Sequence, residues 1–347
     1  MLFSKKLKHW YSNNKRDLPW RQTKDPYFIW LSEIILQQTQ VNQGLPYYGR
    51  FIEKFPSVYH LASADESAVL KLWQGLGYYS RARNLHETAK YIVNELDSNF
   101  PDNYNDLIKL KGVGDYTASA IASICFNEAA AVVDGNVYRV LSRYFGIDTP
   151  INSSKGAKEF KQLAQELIDL KDPATFNQAI MEFGATQCKP QNPDCLICPF
   201  NDSCVAFSEN RINELPVKIK TAKAKNKHFN FLVLISSDEK TILEKREGKG
   251  IWQNLYQFPL IETNKGLAFE AFNSLVENHP LLKEKPFVMS LYNEIEIIHK
   301  LSHQHLHTKF WIVKVDGFLE KGIAIDKLEK YAVPILIGNF IESFNFN

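Results

Sequence analysis

No run of about 18 apolar residues occurs anywhere in the chain, so no membrane-spanning helix is expected. Residues Met1 to Trp10 lack the apolar core of a secretory signal, and although Lys5, Lys6 and Lys8 would suit a transit peptide, they lead straight into motif-like sequence. Low-complexity tracts and internal repeats are also missing. Charge of one sign is not in excess: 41 Lys and Arg against 39 Asp and Glu leave a formal charge of +2. That excludes a strongly basic, chromatin-like binder and still allows a local basic face. Cysteine is scarce, five in 347 residues. An odd count in a long chain without a signal argues against a disulfide framework and fits a reducing cytoplasm. What is plentiful is apolar and aromatic: 45% hydrophobic residues, including 23 Phe, 15 Tyr and 6 Trp. Such a chain can build two or three domains with their own cores.

Four of the five cysteines crowd into one segment. Cys188, Cys195, Cys198 and Cys204 follow the pattern C-x6-C-x2-C-x5-C, while Cys125 lies far upstream and reads as a buried helix residue. Four unrelated thiols do not account for this density, and a metal centre does. Zinc sites usually carry two C-x2-C pairs and only one is present here. A cubane iron–sulfur cluster also takes four cysteines with compact loops between them, and Pro190, Pro193 and Pro199 stiffen those loops. The spacing favours iron–sulfur over zinc without excluding zinc.

Up to about Pro216 the chain reads as helices. Asp25-Pro26 is an N-cap followed by a first-turn proline and opens a helix through about Val41. Ser63 and Glu66 form a capping-box pattern, and the helix that follows stops near Gly75 and Gly77. Ser80 is the expected cap of the next helix. Two more flank Lys111–Gly114, and Asp134 precedes another that ends at Gly146. Residues 217–227, with Lys218, Lys220, Lys223, Lys225 and Lys227, read as a linker. Beyond it the hydrophobic period drops toward two, and residues 229–235, 241–246, 255–260, 294–298 and 310–315 are predicted strands, with helices near 267–278 and 334–344. The predicted organisation is an all-α domain over 1–216 with its cysteine loop at 188–204, a linker over 217–227, and an α+β domain over 228–347.

Three features carry chemistry. Gly112 and Gly114 stand two apart between amphipathic helices, so a tight hairpin there would aim backbone N–H groups outward, toward a DNA phosphate for example. Taken alone the pair is more often only a turn. Asp134 begins a helix and, alone, reads as a plain N-cap. Glu33 is flanked by apolar residues; it is either a carboxylate on a solvated stripe or a partly buried acid with a raised pKa. Two carboxylates from distant helices are able to flank a glycosidic bond, one protonating the leaving group and the other stabilising an oxocarbenium ion.

At these positions the sequence resembles a known family. Ser32-Glu33-Ile34-Ile35-Leu36-Gln37-Gln38-Thr39-Gln40-Val41 is similar to the signature of MutY-type adenine DNA glycosylases. The segments Leu18–Arg21, Gly75–Leu85, Gly112–Ala118 and Asp134–Val137 match in the same order, as does the cysteine spacing, over residues 10 to 205. The resemblance implies a helix–hairpin–helix glycosylase fold and a [4Fe–4S] cluster on Cys188, Cys195, Cys198 and Cys204. It implies a substrate of adenine mispaired with 8-oxoguanine, or with guanine, in double-stranded DNA. Glu33 would protonate the adenine ring, Asp134 would stabilise the sugar cation and Tyr116 would support that chemistry. Gln38 and Tyr78 would enter the base stack, Arg21 would belong to the adenine pocket, and Gly112 and Gly114 would hold the DNA backbone. Flipping the adenine costs a few kcal/mol, which such wedges offset. In the endonuclease III relatives the position of Tyr116 carries a nucleophilic lysine, so the resemblance implies a monofunctional enzyme here. A cytoplasmic monomer is expected.

Residues from 228 onward resemble the family's Nudix-like, 8-oxoguanine-reading domain, through Gly250-Ile251-Trp252-Gln253-Asn254-Leu255-Tyr256-Gln257-Phe258-Pro259. The helix near 267–278 lacks the paired glutamates of a working Nudix hydrolase, which leaves a binding role. Ser302-His303 resembles the family's F-S-H loop, with Leu301 in place of Phe. His303, His305 and His307 would share a strand face, with no acidic or thiol partner for a metal evident in the sequence. Three rival readings are a bifunctional thymine-glycol glycosylase/lyase, opposed by Tyr116 and the C-terminal domain; a non-catalytic damage sensor, opposed by retention of Glu33 and Asp134; and an electron carrier, which needs no DNA hairpin.

Overall fold

A computed structural model describes residues 2–220, 224–283 and 285–346. By contact the chain forms two units, Met1–Ser63 with Asn84–Lys220, and Ala64–Arg83 with the described residues after Lys220.

The first unit is helical. Its elements are α1 (Leu2–Asn14), α2 (Pro26–Leu36), α3 (Val41–Lys54) and α4 (Val58–Ser63); α5 (Glu66–Leu72) and the start of α6 (Ser80–Glu95) belong to the second unit. The rest of α6 is followed by α7 (Tyr104–Leu107), α8 (Asp115–Phe126), α9 (Gly135–Phe145), α10 (Ser154–Leu167), α11 (Pro173–Thr186) and α12 (Val205–Ser208). Short polar residues start these helices: Asp25 accepts from the Tyr27 N–H, Ser153 from Gly156 N–H and Asp172 from Thr175 N–H, with prolines at first-turn positions in α2 and α11. Residues in the left-handed region stop them, Asn127 after α8 (φ 58°) and Gly146 after α9 (φ 69°). α2 packs on α3 and α8, and α11 packs on α1, α8 and α9. Nearly every α2 side chain from Ile29 to Ile35 is buried, Ser32 and Glu33 included. Each large apolar chain among them contributes about 1.5–3 kcal/mol on burial.

Two helix boundaries differ from expectation. The helix read through Val41 breaks after Leu36, because Gln38 takes a left-handed backbone (φ 54°) and α3 restarts at Val41. Asp65, not Ser63, is the N-cap of α5, so the Ser63–Glu66 pair does not form its capping box.

The second unit is built on a five-stranded sheet. Its strands and helices are β1 (Lys225–Ser236), β2 (Lys240–Thr241), β3 (Glu244–Lys245), β4 (Tyr256–Gln257), β5 (Leu260–Thr263), α13 (Phe269–Glu277), β6 (Phe287–Leu291), β7 (Ile297–Lys300), β8 (Gln304–Val315), β9 (Ile323–Ala324) and α14 (Ile335–Ser343). The main sheet runs β5-β1-β8-β6, with β7 also pairing β8. β1 and β8 are parallel and aligned over their whole lengths, and their partners β5, β6 and β7 are antiparallel. Alternation puts Leu232, Leu234, Trp311 and Val313 against Phe272 and Val276 of α13. On the opposite face Phe231 stacks on Phe310, and Phe310 on Phe340 of α14, with ring centroids 5.4 and 4.2 Å apart. The predicted strand at 241–246 is two short pieces, and β6 was not foreseen because residues 287–291 alternate only weakly. β1 begins at Lys225, inside the segment read as a linker; Lys223 of that segment lies outside the described residues.

Residues Ala64–Arg83, helical as expected, group by contact with this sheet. The Arg83 guanidinium donates to Gln253 O (2.9 Å), Asn254 Nδ2 to Glu66 Oε1 (2.7 Å) and the Tyr79 hydroxyl to Val333 O (3.3 Å). Among the described residues no helix is long and apolar enough to cross a membrane.

Candidate active site and cysteine centre

In the first unit, α2, α8 and the entry to α9 bring Glu33, Tyr116 and Asp134 together. Glu33 is 7% exposed. Burial pushes its carboxyl up to about 7; the nearby Asp134 charge adds to this, while a hydrogen bond with Tyr116 and the positive charge of Arg21 oppose it. The solvated-stripe reading of Glu33 therefore does not hold. The Tyr116 hydroxyl also lies 3.2 Å from Met181 Sδ, so its single proton is shared between sulfur and carboxylate. Burial between the two acids drives the phenol far above its usual range.

Asp134 is an N-cap and more. Its Oδ1 accepts from the backbone N–H groups of Asn136 (2.9 Å) and Val137 (2.8 Å), and Oδ2 accepts from Asn136 Nδ2 (2.8 Å). Burial raises its pKa overall, and these donors, with the Arg139 charge, offset part of that rise. A protonatable acid thus stands beside a second carboxyl that accepts three hydrogen bonds. Arg21 is tied down differently from a free pocket residue: it forms a salt bridge with the buried Glu182 (2.6 Å) and donates to Arg16 O (2.8 Å). Arg16 completes the triad on Glu182, and together they hold that carboxyl at about 2.

Two glycines of the hairpin behave unlike one another. Gly112 sits at φ 77°, and a Cβ there would come 2.7 Å from Asn84 Cβ, so glycine is required by conformation and by space. Gly114 caps α8 with an ordinary backbone and open space around it. No side chain caps the start of α8, and the one acid in its first turn, Asp115, is paired with Lys161. The preceding helix, α7, is a single turn. Lys111, the nearest lysine in sequence to the hairpin, is paired with Glu87.

The four cysteines line one cavity with Val140, Arg143 and Phe200. Four thiols around one cavity are the donor set of a metal centre, zinc or an iron–sulfur cluster. Burial pushes the Cys198 thiol up to about 11 and raises Cys195 and Cys204. Without bound cations these groups stay protonated, and a cluster is what would make them thiolates. Cys125 is on α8, away from this set.

In the second unit, a cleft of about 640 Å³ is lined by Tyr78, Arg83, Trp252, His299, Ser302 and His303 among others. The Tyr78 and Ser302 hydroxyls are hydrogen-bonded. Tyr78, like Gln38 in the first unit, takes a left-handed backbone (φ 48° and 54°) and is exposed. Non-glycine residues seldom adopt this region, and where they do the strain tends to mark binding sites. α13 carries only Glu270 and Glu277, which gives no paired-carboxylate magnesium helix.

Sequence reasoning missed the arginines that join these parts. Arg139 donates to Cys188 O (2.7 Å), Gly184 O (2.6 Å) and Asn136 Oδ1 (2.9 Å); Arg143 reaches Cys188 Sγ (3.5 Å), Lys189 O (2.8 Å), Pro190 O (3.0 Å) and Leu215 O (3.0 Å). Asp134, Asn136, Arg139 and the cysteine loop thus form one hydrogen-bonded chain. The available signal was spacing: two arginines four apart put both on one helix face.

Comparison with known proteins places this geometry. Residues 31–169 match the model of the HhH-GPD superfamily of base excision DNA repair proteins, and residues 230–343 match the NUDIX domain. An adenine DNA glycosylase of Buchnera aphidicola subsp. Baizongia pistaciae is 35% identical over 90% of this chain and 86% of its own length, and one of Arabidopsis thaliana is 36% identical over 93% of this chain and 59% of its own. A thermostable thymine-DNA glycosylase superposes with a TM-score of 0.56 and 31% identity over 60% of this chain and 96% of that one. An endonuclease III–DNA complex, at 0.53 and 20% identity over 60% of this chain and 95% of that one, shares the fold. A multidomain enzyme with a helical glycosylase domain and a Nudix-like sheet domain, the chain belongs to the adenine DNA glycosylase family.

Proposed function

We propose that the protein removes adenine mispaired with 8-oxoguanine, or with guanine, from duplex DNA, and leaves the strand uncut. The observation that carries this is the buried Glu33 at about 7 beside a hydrogen-bonded Asp134. An acid with a pKa near the working pH is half protonated and is able to give its proton in the transition state. The extruded adenine takes that proton on its ring, which makes it a neutral leaving group when the bond between its nitrogen and the sugar C1′ breaks. Positive charge then develops on the sugar, and the Asp134 carboxylate, oriented by its three donors, faces it. Water adds at C1′ and loses a proton, so hydrolysis balances as adenine plus an abasic site.

Tyr116 holds the Glu33 carboxyl in place and shields the pair from water. It offers no amine for a Schiff base, and Lys111 is engaged with Glu87, which supports the monofunctional reading. Gln38 and Tyr78 are proposed wedges, Arg21 positions Glu182 and biases Glu33, and the Gly112–Gly114 hairpin is proposed to hold a phosphate. Cys188, Cys195, Cys198 and Cys204 are the proposed ligands of a [4Fe–4S] cluster, which when bound would cross-link their loops. Ser302 and His303 are proposed to contact the oxidised base from the cleft of the second unit. The setting that fits is a monomer acting on cytoplasmic DNA.

The test is single-turnover incubation with duplexes holding A opposite 8-oxoguanine, G, C or T. Alkali-labile sites opposite 8-oxoguanine and G, with no cleavage before alkali, are expected. Release from A:T at the same rate, or borohydride trapping at the level of a true lyase, would overturn it.

A further inference from the structure

One more cluster of ligating side chains stands out among the described residues, apart from both sites above. His228 on β1, His307 on β8 and Glu296 before β7 present ligand atoms that all lie within 4.8 Å of one another. Register explains why. β1 and β8 run parallel and set His228 directly opposite His307, so the rings stack with centroids 4.8 Å apart and planes inclined by 28°. β7 lies antiparallel to β8, with Ile298 opposite His307. Glu296, two residues before Ile298, therefore falls on the same face as the histidines. Its Oε2 is 3.0 Å from His307 Nδ1 and its Oε1 is 3.7 Å from His228 Nδ1. Gly266 keeps the space beside them open: a Cβ there would stand 3.1 Å from Glu296 Oε1 and 3.9 Å from His228 Nδ1.

Two observations point to a cation and not to a self-contained hydrogen-bonded trio. His228 Nδ1 is buried and has no hydrogen-bond partner. A buried polar atom left unpaired is costly, and an ion or water that belongs there is its usual explanation. The second is spacing. Zinc held tetrahedrally by nitrogen and oxygen at about 2.0–2.1 Å sets its ligand atoms roughly 3.3–3.4 Å apart; here the two carboxylate oxygens stand 3.0 and 3.7 Å from the two imidazoles, and one atom from each residue lies within 4.8 Å of the others, so small side-chain turns bring the three to one ion. Two imidazoles and one carboxylate form the ligand set of an open zinc site, with a fourth position for water.

We propose that His228, Glu296 and His307 bind one divalent transition-metal ion of the zinc type. The ion would join three strands of the sheet and take up the orphan nitrogen, at the release of the proton shared by His307 and Glu296. It would also pin the β7–β8 hairpin, whose connection carries Leu301, Ser302 and His303. The binding inference does not depend on the glycosylase reading.

The test uses the full-length protein with its iron intact. It is dialysed against zinc chloride and then metal-free buffer; zinc and iron are counted and zinc-edge X-ray absorption is recorded. One zinc per chain is expected, with a nitrogen and oxygen shell at about 2.0–2.1 Å, imidazole scattering and no sulfur at about 2.3 Å. Glu296→Gln and His307→Asn should each weaken zinc binding at least ~10-fold without changing the iron content. Failure of iron-replete protein to retain zinc, a sulfur shell, or unchanged affinity in both variants would overturn the proposal. The wild-type absorption spectrum decides by itself should the histidine variant misfold.

Discussion

The pair Glu33 and Asp134 and the pair Tyr78 and Ser302 are both made of ordinary polar side chains, yet their surroundings are opposite. Glu33 is 7% exposed and Tyr78 48%. Water has been removed from the first pair, so a carboxyl moves to about 7 and a neighbouring charge acts at full strength. The second pair lines an open cleft, where the two hydroxyls are hydrogen-bonded to each other within reach of water. The difference teaches how one chain divides its work. A dry site changes what a group is; a wet site changes only what it touches. Rate should therefore depend on the first pair and selectivity on the second.

The largest effect expected is that of Glu33→Gln. The amide keeps size and acceptor but has no proton to give, and general acid catalysis is worth about 10²–10⁴-fold. Adenine release should fall at least a thousandfold under single-turnover conditions, with binding to mismatched DNA little changed. In the wild type, release should drop as pH rises through about 7, because Glu33 is then lost as an acid. The same residue makes a claim about stability. Its folded pKa is raised, so the folded state binds the proton more tightly, and stability declines as pH climbs from 4.5 to about 7. That interval, at about 1.4 kcal/mol per pH unit, is roughly 3 kcal/mol. Glu33→Gln should therefore be more stable than wild type at pH 8, by ~1–3 kcal/mol in urea unfolding, and no more stable at pH 4.5. Near wild-type excision by this variant would remove the acid from Glu33.

Next comes Asp134→Asn. Losing one preorganised electrostatic contact costs about 10²–10³ in rate. The amide oxygen can still accept from the Asn136 and Val137 N–H groups while its N–H₂ meets Asn136 Nδ2, so α9 keeps its N-cap and thermal stability should change little. Near wild-type excision by this variant would remove Asp134 from the chemistry.

A smaller effect separates the two hairpin glycines. Gly112→Ala forces a Cβ against Asn84 at positive φ and should destabilise by ~1–3 kcal/mol. Gly114→Ala meets nothing and should leave stability within ~0.5 kcal/mol, while weakening non-specific DNA binding a few-fold by crowding the bare start of α8. Equal stability losses in both would show that the hairpin is only a turn.

How much of this was legible follows from what each feature depends on. Helices, the hairpin and the cysteine segment are local in sequence, and were read. Glu33 beside apolar residues was read as a choice between wet and dry, and only the packing of α2 on α8 decides it. The break at Gln38 was missed because a left-handed glutamine leaves no propensity signal. The contacts of Ala64–Arg83 are not legible for a different reason: the segment looks like its helical neighbours, while its partners Gln253, Asn254 and Val333 lie about 170 or more residues later. Arg139 and Arg143 were passed over because a guanidinium reveals its carbonyl partners only in three dimensions. Glu296 as partner of His228 and His307 depends on strand register, which the weak alternation of residues 287–298 does not disclose.

The smallest effect, and the one that bears most directly on the comparison, concerns Tyr78 and Ser302. Their hydroxyls meet in the cleft, although 224 residues separate them in sequence. If the contact reads the base opposite adenine, its loss should alter the ratio of A:8-oxoguanine to A:G processing and leave the A:G rate alone, because Glu33 and Asp134 are untouched. Tyr78→Phe and Ser302→Ala each remove one hydroxyl at an exposed site, where a hydrogen bond contributes about 0.5–1.5 kcal/mol; each should lower the ratio by ~2- to 10-fold. The double variant should lose no more than the larger single one, since either change breaks the same contact. All rates must be taken at one salt concentration, because phosphate contacts make affinity salt-dependent. Additive losses would mean that the two hydroxyls meet the DNA separately and that their contact is incidental. A fall in the A:G rate equal to that for A:8-oxoguanine would place the cleft in catalysis and abolish the division of work between the dry pair and the wet one.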